Sequence, residues 1–166
     1  MIQVYTGNGK GKTTAALCLA LRSACAGLNV LICQFLKGKN CSEINSLKKL
    51  KNIKVVRFGS KCFIRKEVSK RDLKLAKLGL NYIRNVRFDK FDLIILDEIN
   101  IALHLKLIDL KDILGFMENL PRNKELILTG RNAHPEILKK ADLVSEVKEI
   151  KHYFNKGIRA RKGIEY

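Results

Sequence analysis

The stretch TGNGKGKTT, residues 6–14, carries the residues best suited to chemistry. A Walker A loop needs a glycine, four residues, then Gly-Lys-Ser/Thr. Gly11-Lys12-Thr13 supplies the second half, but Thr6 stands where the first glycine belongs, and Gly7 leaves the loop one residue short. The physics still suits a phosphate. Glycines 7, 9 and 11 let backbone N–H groups turn inward without Cβ clashes. A helix opening at Lys12 would aim its positive end at the same point. Lys12 adds a mobile cation, and Thr13 offers a hydroxyl to Mg²⁺. The competing reading is a Gly/Lys-rich surface turn, and its position between an apolar strand and an apolar helix argues against that.

A second candidate is FDLIILDEIN, in which four aliphatic residues deliver Asp97-Glu98 to a strand end. Paired with a phosphate loop, such carboxylates hold Mg²⁺ or its water; alone, they are simply an acidic strand end. LTGRNA puts Thr129, Arg131 and Asn132 just past another apolar run. Arg131 there is either a phosphate fork or a solvated surface residue. Arg159, Arg161 and Lys162 lie in a basic closing stretch that reads as a flap over polyphosphate or as a solvated tail. His104, His134 and His152 have no Ser or Cys partner at a spacing that suggests nucleophilic catalysis, and His152 alone merits a test. Cys18, Cys25, Cys33, Cys41 and Cys62 form no Cys-x-x-Cys pair, which argues against zinc. The first three sit in apolar runs and are expected to be buried thiols.

These residues need a scaffold that brings them together. IQVY, NVLICQF (29–35), IKVVRF (53–58), DLIILD (92–97), ELILT (125–129) and DLVSEV (142–147) read as strands. Unbroken aliphatic runs of this kind suit a parallel sheet buried on both faces. Between them lie helical patterns: residues 12–26, apolar almost all round; a helix opened by Ser69 and Asp72 as a capping box; one capped by Asp109 and ended before Pro121; and a short one after His134-Pro135. The alternation predicts a doubly wound, three-layer α/β domain with a mostly parallel sheet. Residues 1–166 form one domain in this reading, with 150–166 as the basic tail or flap. Ligands in such sheets sit at the carboxyl ends of the strands, where the loop and the strand ends at Gln34, Asp97 and Thr129 fall.

The 166 residues suffice for one sizeable core, and 46% hydrophobic with 30% charged residues excludes a disordered chain. A formal net charge of +17 favours anionic partners, polyphosphates or nucleic acid among them, or reflects Lys-rich solvated faces. With no signal peptide, no long apolar span and no disulfide framework, the expected setting is cytoplasmic, without membrane attachment.

Several blocks in order resemble the CobA-type corrinoid adenosyltransferases. YTGNGKGKTTAA is similar to that family's short P-loop, QFLKG to its second-strand ending and LDEIN to its acidic segment. LTGRNA, ADLVSE and IKHYFNKGIRARKGIE are similar to its later blocks. The resemblance implies transfer of the 5′-deoxyadenosyl group of ATP to the Co(I) centre of a reduced corrinoid, with triphosphate leaving whole and the nucleotide lying in the loop in reversed sense. It implies that Gly7, Asn8, Gly9, Lys10, Gly11, Lys12, Thr13 and Thr14 hold the triphosphate, with Arg131 in a matching block. Thr13, Glu98 and Asp97 would serve Mg²⁺, and turnover is expected to depend on Lys12, Thr13 and Glu98. A P-loop NTPase fold of the RecA-like kind, homodimers and an electron-donating flavoprotein or flavin reductase are further implications.

Two departures bear on the corrinoid rather than on ATP. Well-known members carry a Phe-x-Trp pair after the third strand; here FGSKCFIRK stands there, with no Trp in the chain. Phe63, together with Phe58, is the candidate apolar wall for the corrin, with core packing as the alternative; Cys62 lies beside it. The N-terminal extension that covers the corrinoid in some relatives is expected to be lacking, which leaves a more open site or one completed by another segment. The rival reading is a nucleic-acid-binding P-loop ATPase, which the charge suits but no aromatic-basic recognition motif supports. A thymidine-kinase-type enzyme would need zinc-binding Cys pairs, and a corrinoid or nucleotide carrier would keep the loops without chemistry.

Overall fold

A computed structural model of the chain describes residues 1–38, 42–59 and 68–165. Six strands form its sheet: β1 (Ile2–Thr6), β2 (Val30–Phe35), β3 (Ile53–Phe58), β4 (Leu93–Asp97), β5 (Glu125–Thr129) and β6 (Leu143–Glu146). Their order is β3-β2-β4-β5-β1-β6, and each pairing is parallel. Helices α1 (Lys12–Cys25), α2 (Ser42–Leu47), α3 (Lys70–Arg84), α4 (Ile99–His104), α5 (Leu110–Glu118) and α6 (Pro135–Lys140) fill the crossovers. The expected three-layer α/β architecture is thus present, with a wholly parallel sheet in place of a mostly parallel one.

Period-two alternation splits the strands between two cores. Val30 and Ile32 of β2, Leu93 and Ile95 of β4, and Ile127 of β5 pack with Ala16, Leu17, Ala20 and Ala24 of α1. The intervening Leu31, Cys33 and Phe35, with Ile94 and Leu96, pack against α3, α4 and α5 on the other face. Burying each such Leu or Ile stabilises the fold by about 1.5–3 kcal/mol. The capping box at α3 forms in both directions, Ser69 Oγ accepting from Asp72 N–H and Asp72 accepting from Ser69 N–H. Asp109 stands at the start of α5 but makes no side-chain cap.

Three expectations need correction. The run DLVSEV forms an edge strand exposed at every residue of β6, because among the described residues only β1 pairs with it. Helix α1 is not buried all round: its outward face leaves Leu21 exposed, along with Cys18 and Cys25. Only Cys33 of those three thiols is buried, and burial pushes its pKa well above the ordinary value. Among the described residues no helix is long and apolar enough to cross a membrane.

Candidate active site

The alternation that builds the cores also assembles the site. Gln34, next to last in β2, and Asp97 and Thr129, last in β4 and β5, lie two residues beyond Ile32, Ile95 and Ile127, so all three face the α1 side. Thr13, in the first turn of α1, meets them there. Its hydroxyl donates to Asp97 Oδ1 at 2.8 Å, and Thr129 Oγ1 donates to the same oxygen at 2.7 Å. Gln34 Nε2 donates to Asp97 Oδ2 at 3.0 Å. Asp97 is 0% exposed, a carboxylate fixed by two hydroxyls and an amide. Glu98 follows with left-handed backbone (φ 62), its N–H donating to Thr129 Oγ1 at 3.0 Å.

The phosphate loop precedes α1. Gly7 (φ 94) and Gly11 (φ 121) occupy backbone conformations that L side chains rarely adopt. Lys12 is buried and folds back across the loop, its Nζ donating to Gly9 O at 2.6 Å. Among the described residues no side chain caps α1 and no acidic residue of its own lies in its first turn, so its positive end is open toward the loop. The N–H of Gly9, expected to turn inward, instead donates to Val147 O at 2.7 Å. A Cβ on Gly7 or Gly9 would lie within 2.8 Å of the Val147 or Lys148 carbonyl oxygens, so glycine is needed for close approach to this segment as well as for an anion.

Lys37, which the sequence reading passed over inside QFLKG, completes the cluster. Its Nζ donates to Thr13 Oγ1 at 2.7 Å and to Asp97 Oδ2 at 3.0 Å, and pairs with Glu98 Oε1 at 3.2 Å. Burial alone would lower its pKa, but Asp97 and Glu98 outweigh that and hold it above the ordinary lysine value. Burial would likewise raise Asp97; Lys37 and the hydroxyls of Thr129 and Thr13 hold it below the ordinary carboxylate value. Lys12 is pushed below the ordinary lysine value by burial, partly offset by Glu98, with Arg131 and Lys37 adding to the depression. Lys37 and Arg131 thus both lie close enough to Lys12 to repel its ammonium, an arrangement that a polyanion relieves.

The donors gathered by Lys37 also fit Mg²⁺: a threonine hydroxyl and two carboxylates are hard oxygen ligands, already arranged around a cationic nitrogen. Among the described residues, no group of three or more His, Cys, Asp or Glu side chains is placed to hold a metal alone. Phosphate oxygens or water would have to complete the shell, as is usual for Mg²⁺.

Other expected residues are placed less centrally. Asn8, Lys10, Thr14 and Arg131 are exposed around the loop. Lys10 reaches the tail, its Nζ donating to Tyr153 OH at 2.8 Å and to Glu165 Oε1 at 2.9 Å. The stretch thus packs on the loop through a defined contact rather than trailing from the sheet. His134 and His152 are backbone caps, their Nδ1 atoms accepting from Glu136 N–H and Phe154 N–H. Phe58 packs between Phe35 and Tyr82, at ring-centre distances of 5.7 and 5.6 Å. Phe63 and Cys62 lie outside the described residues. Asn100, also unforeseen, is fully buried beside Gly130, whose Cβ-less backbone (φ 132) leaves it room.

A family model described as "ATP:corrinoid adenosyltransferase BtuR/CobO/CobP" matches residues 1–166. A corrinoid adenosyltransferase of Sinorhizobium sp is 33% identical over 171 residues, covering 100% of this chain and 80% of that protein. The corrinoid adenosyltransferase CobA of Salmonella typhimurium is 30% identical over 167 residues, covering 100% of this chain and 85% of that protein. Among solved structures, a KaiC-like protein of Pyrococcus horikoshii aligns with a TM-score of 0.57 and 19% identity, covering 90% of this chain and 72% of that one. The RadB recombinase aligns with a TM-score of 0.53 and 15% identity, covering 91% and 75%. These structural likenesses speak to the fold alone, a P-loop α/β domain of RecA-like type.

Proposed function

The chain belongs to the ATP:corrinoid adenosyltransferase family, and from that membership we propose that it transfers the 5′-deoxyadenosyl group of ATP to the Co(I) centre of a reduced corrinoid, releasing triphosphate. The observation that carries this reading is the family match along residues 1–166. The convergence of the loop, Asp97-Glu98 and Thr129 at one sheet edge supports it.

In the reaction, the Co(I) electron pair forms the bond to C5′ while the C5′–O bond breaks, and its electrons leave with the triphosphate. Co(I) is itself the nucleophile, so no side chain has to remove a proton. The protein's task is alignment and neutralisation of the leaving group. The residues Gly7 to Thr14 hold the triphosphate, Lys12 and Arg131 offset its charge, and Thr13, Asp97 and Glu98 hold Mg²⁺. When bound, Mg²⁺ supplies further charge neutralisation on the phosphate oxygens. Phe63 forms the apolar wall beside the corrin. Residues 1–166 act as a single cytoplasmic domain, paired as a homodimer, with a flavoprotein or flavin reductase delivering Co(I).

The test is anaerobic, with ATP, Mg²⁺ and chemically reduced cobalamin or cobinamide. A light-sensitive adenosyl product with equimolar triphosphate is expected. Free phosphate as the main product, independent of corrinoid, would overturn the reading. Lys12→Ala should lower turnover at least about 10²-fold, and Phe63→Ala should slow the reaction from Co(II) more than that from preformed Co(I).

A further inference from the structure

Lys37 is not one of the sequence-expected ligands, yet the fold goes to some length to place it. The preceding residue, Leu36, is a non-glycine residue in left-handed backbone (φ 58). Such conformations are unfavourable for a residue with a side chain and persist where surrounding structure imposes them. Leu36 N–H donates to Phe58 O at 3.2 Å, fixing the turn to the end of the neighbouring strand β3. Gly59 then passes so close that a Cβ on it would lie 2.2 Å from the Lys37 backbone nitrogen. The side chain is directed back over the sheet edge, where it is 15% exposed.

An ammonium has three N–H donors and no acceptor. Lys37 Nζ meets three acceptors on two segments: Thr13 Oγ1 of α1 at 2.7 Å, and, where β4 leads into α4, Asp97 Oδ2 at 3.0 Å and Glu98 Oε1 at 3.2 Å. Those are the same three side chains that suit a divalent cation. Two cations cannot share these oxygens: the mutual repulsion in a site this enclosed would be severe.

We propose that Lys37 is the resident counter-ion of the metal site, mutually exclusive with the divalent cation, so that metal enters with triphosphate rather than alone. The inference rests on the site reading above. With Lys37 in place, one ammonium bridges the two carboxylates, offsetting one of their two charges, and the site stays assembled without metal. A metal arriving alone must displace that ammonium into a neighbourhood already holding Lys12 and Arg131. A metal arriving with triphosphate brings the anion onto which the ammonium can move. Lys37 is therefore a positioning residue with two opposite effects, excluding free metal and favouring metal–triphosphate.

Mn²⁺ serves as the probe, read by electron paramagnetic resonance, with inorganic tripolyphosphate as the anion and no corrinoid present. Wild-type protein should bind Mn²⁺ weakly alone and at least tenfold more tightly with tripolyphosphate on the protein. Lys37→Met should bind Mn²⁺ alone at least tenfold more tightly than wild type, while binding the Mn²⁺–tripolyphosphate complex more weakly. A merely structural role would weaken both. Lys37→Gln, which keeps the length and one donor, replaces Lys37→Met should circular dichroism show the latter unfolded. Wild-type protein that binds Mn²⁺ equally well with and without tripolyphosphate would overturn the inference whatever the variants do. Because corrinoid is left out, this result is independent of the adenosylation assay: either can fail while the other stands.

Discussion

Gly9 lends its N–H to the carbonyl of Val147 at 2.7 Å, and Val147 in turn donates its N–H to Thr6 O at 2.9 Å. The phosphate loop is thereby stitched along the segment that follows the edge strand. A Cβ on Gly9 would sit 2.7 Å from Lys148 O and 2.8 Å from Val147 O, backbone atoms that cannot rotate aside. Gly9→Ala is therefore expected to destabilise the protein by about 1–3 kcal/mol and to weaken ATP binding, because the loop must shift to relieve the clash. Thermal unfolding and calorimetric ATP titration check this. Wild-type values in both would mean that the loop does not depend on this contact.

That contact marks where sequence reasoning stops. The central strands were legible because β2, β4 and β5 are buried on both faces along their middles and must be apolar there. The glycines of the loop and the Asp97-Glu98 pair were legible because their chemistry needs those residue types. The partner of Gly9 was not, since nothing local to residue 9 encodes Val147. Nor was the role of Lys37, a lysine among many until the left-handed turn at Leu36 is seen. Its position just past Gln34, at an expected ligand-facing strand end, was the one usable signal. The exposure of β6 was hidden for a different reason: Leu143 and Val144 look like core residues, and only strand order reveals an edge.

Two helical glycines should respond to alanine with opposite signs. In α3, a Cβ on Gly79 would lie 2.5 Å from Phe35 Cε1 and 2.9 Å from Phe58, at the contact between helix and sheet. Phe35 is fully buried and has nowhere to move, so Gly79→Ala should destabilise by about 1–3 kcal/mol. In α5, a Cβ on Gly115 meets nothing within 4 Å, so Gly115→Ala should stabilise by about 0.5–1 kcal/mol through helix propensity. Urea unfolding of both variants is the check; a stabilised Gly79→Ala would contradict the packing of α3.

Asp92 gives a pH dependence of known sign. It accepts Asn29 N–H at 2.9 Å and the Lys124 ammonium at 3.1 Å, and these hold its carboxyl below the ordinary value. A depressed carboxylate contributes stability that is full above the ordinary pKa of about 3.9 and is lost as pH falls through the lower folded value. Because Asp92 is 35% exposed, screening limits the contribution to under about 1 kcal/mol. Asp92→Asn should therefore be slightly less stable than wild type at neutral pH, with the gap closing as acid protonates the wild-type carboxyl. Urea midpoints at neutral and acid pH decide it; a constant gap would assign the effect to packing.

Glu165 ties the closing stretch to the phosphate loop. Its carboxylate accepts from Tyr153 OH, from Lys10 Nζ at 2.9 Å and from Arg161 N–H at 2.6 Å, and it is held far below the ordinary value by Tyr153 and Lys10 first. The Arg161 guanidinium lies over the Tyr153 ring at 5.1 Å, adding a cation–π contact to the same knot. Glu165→Gln removes the charge on which these donors converge while keeping the side chain's shape. The stretch should then open more often, and limited trypsin digestion after Arg159, Arg161 and Lys162 should run several-fold faster than in wild type. Added salt should speed wild-type cleavage more than that of the variant, since only wild type has this charge to screen. Equal cleavage rates at low salt would show that Glu165 does not hold the tail on the loop.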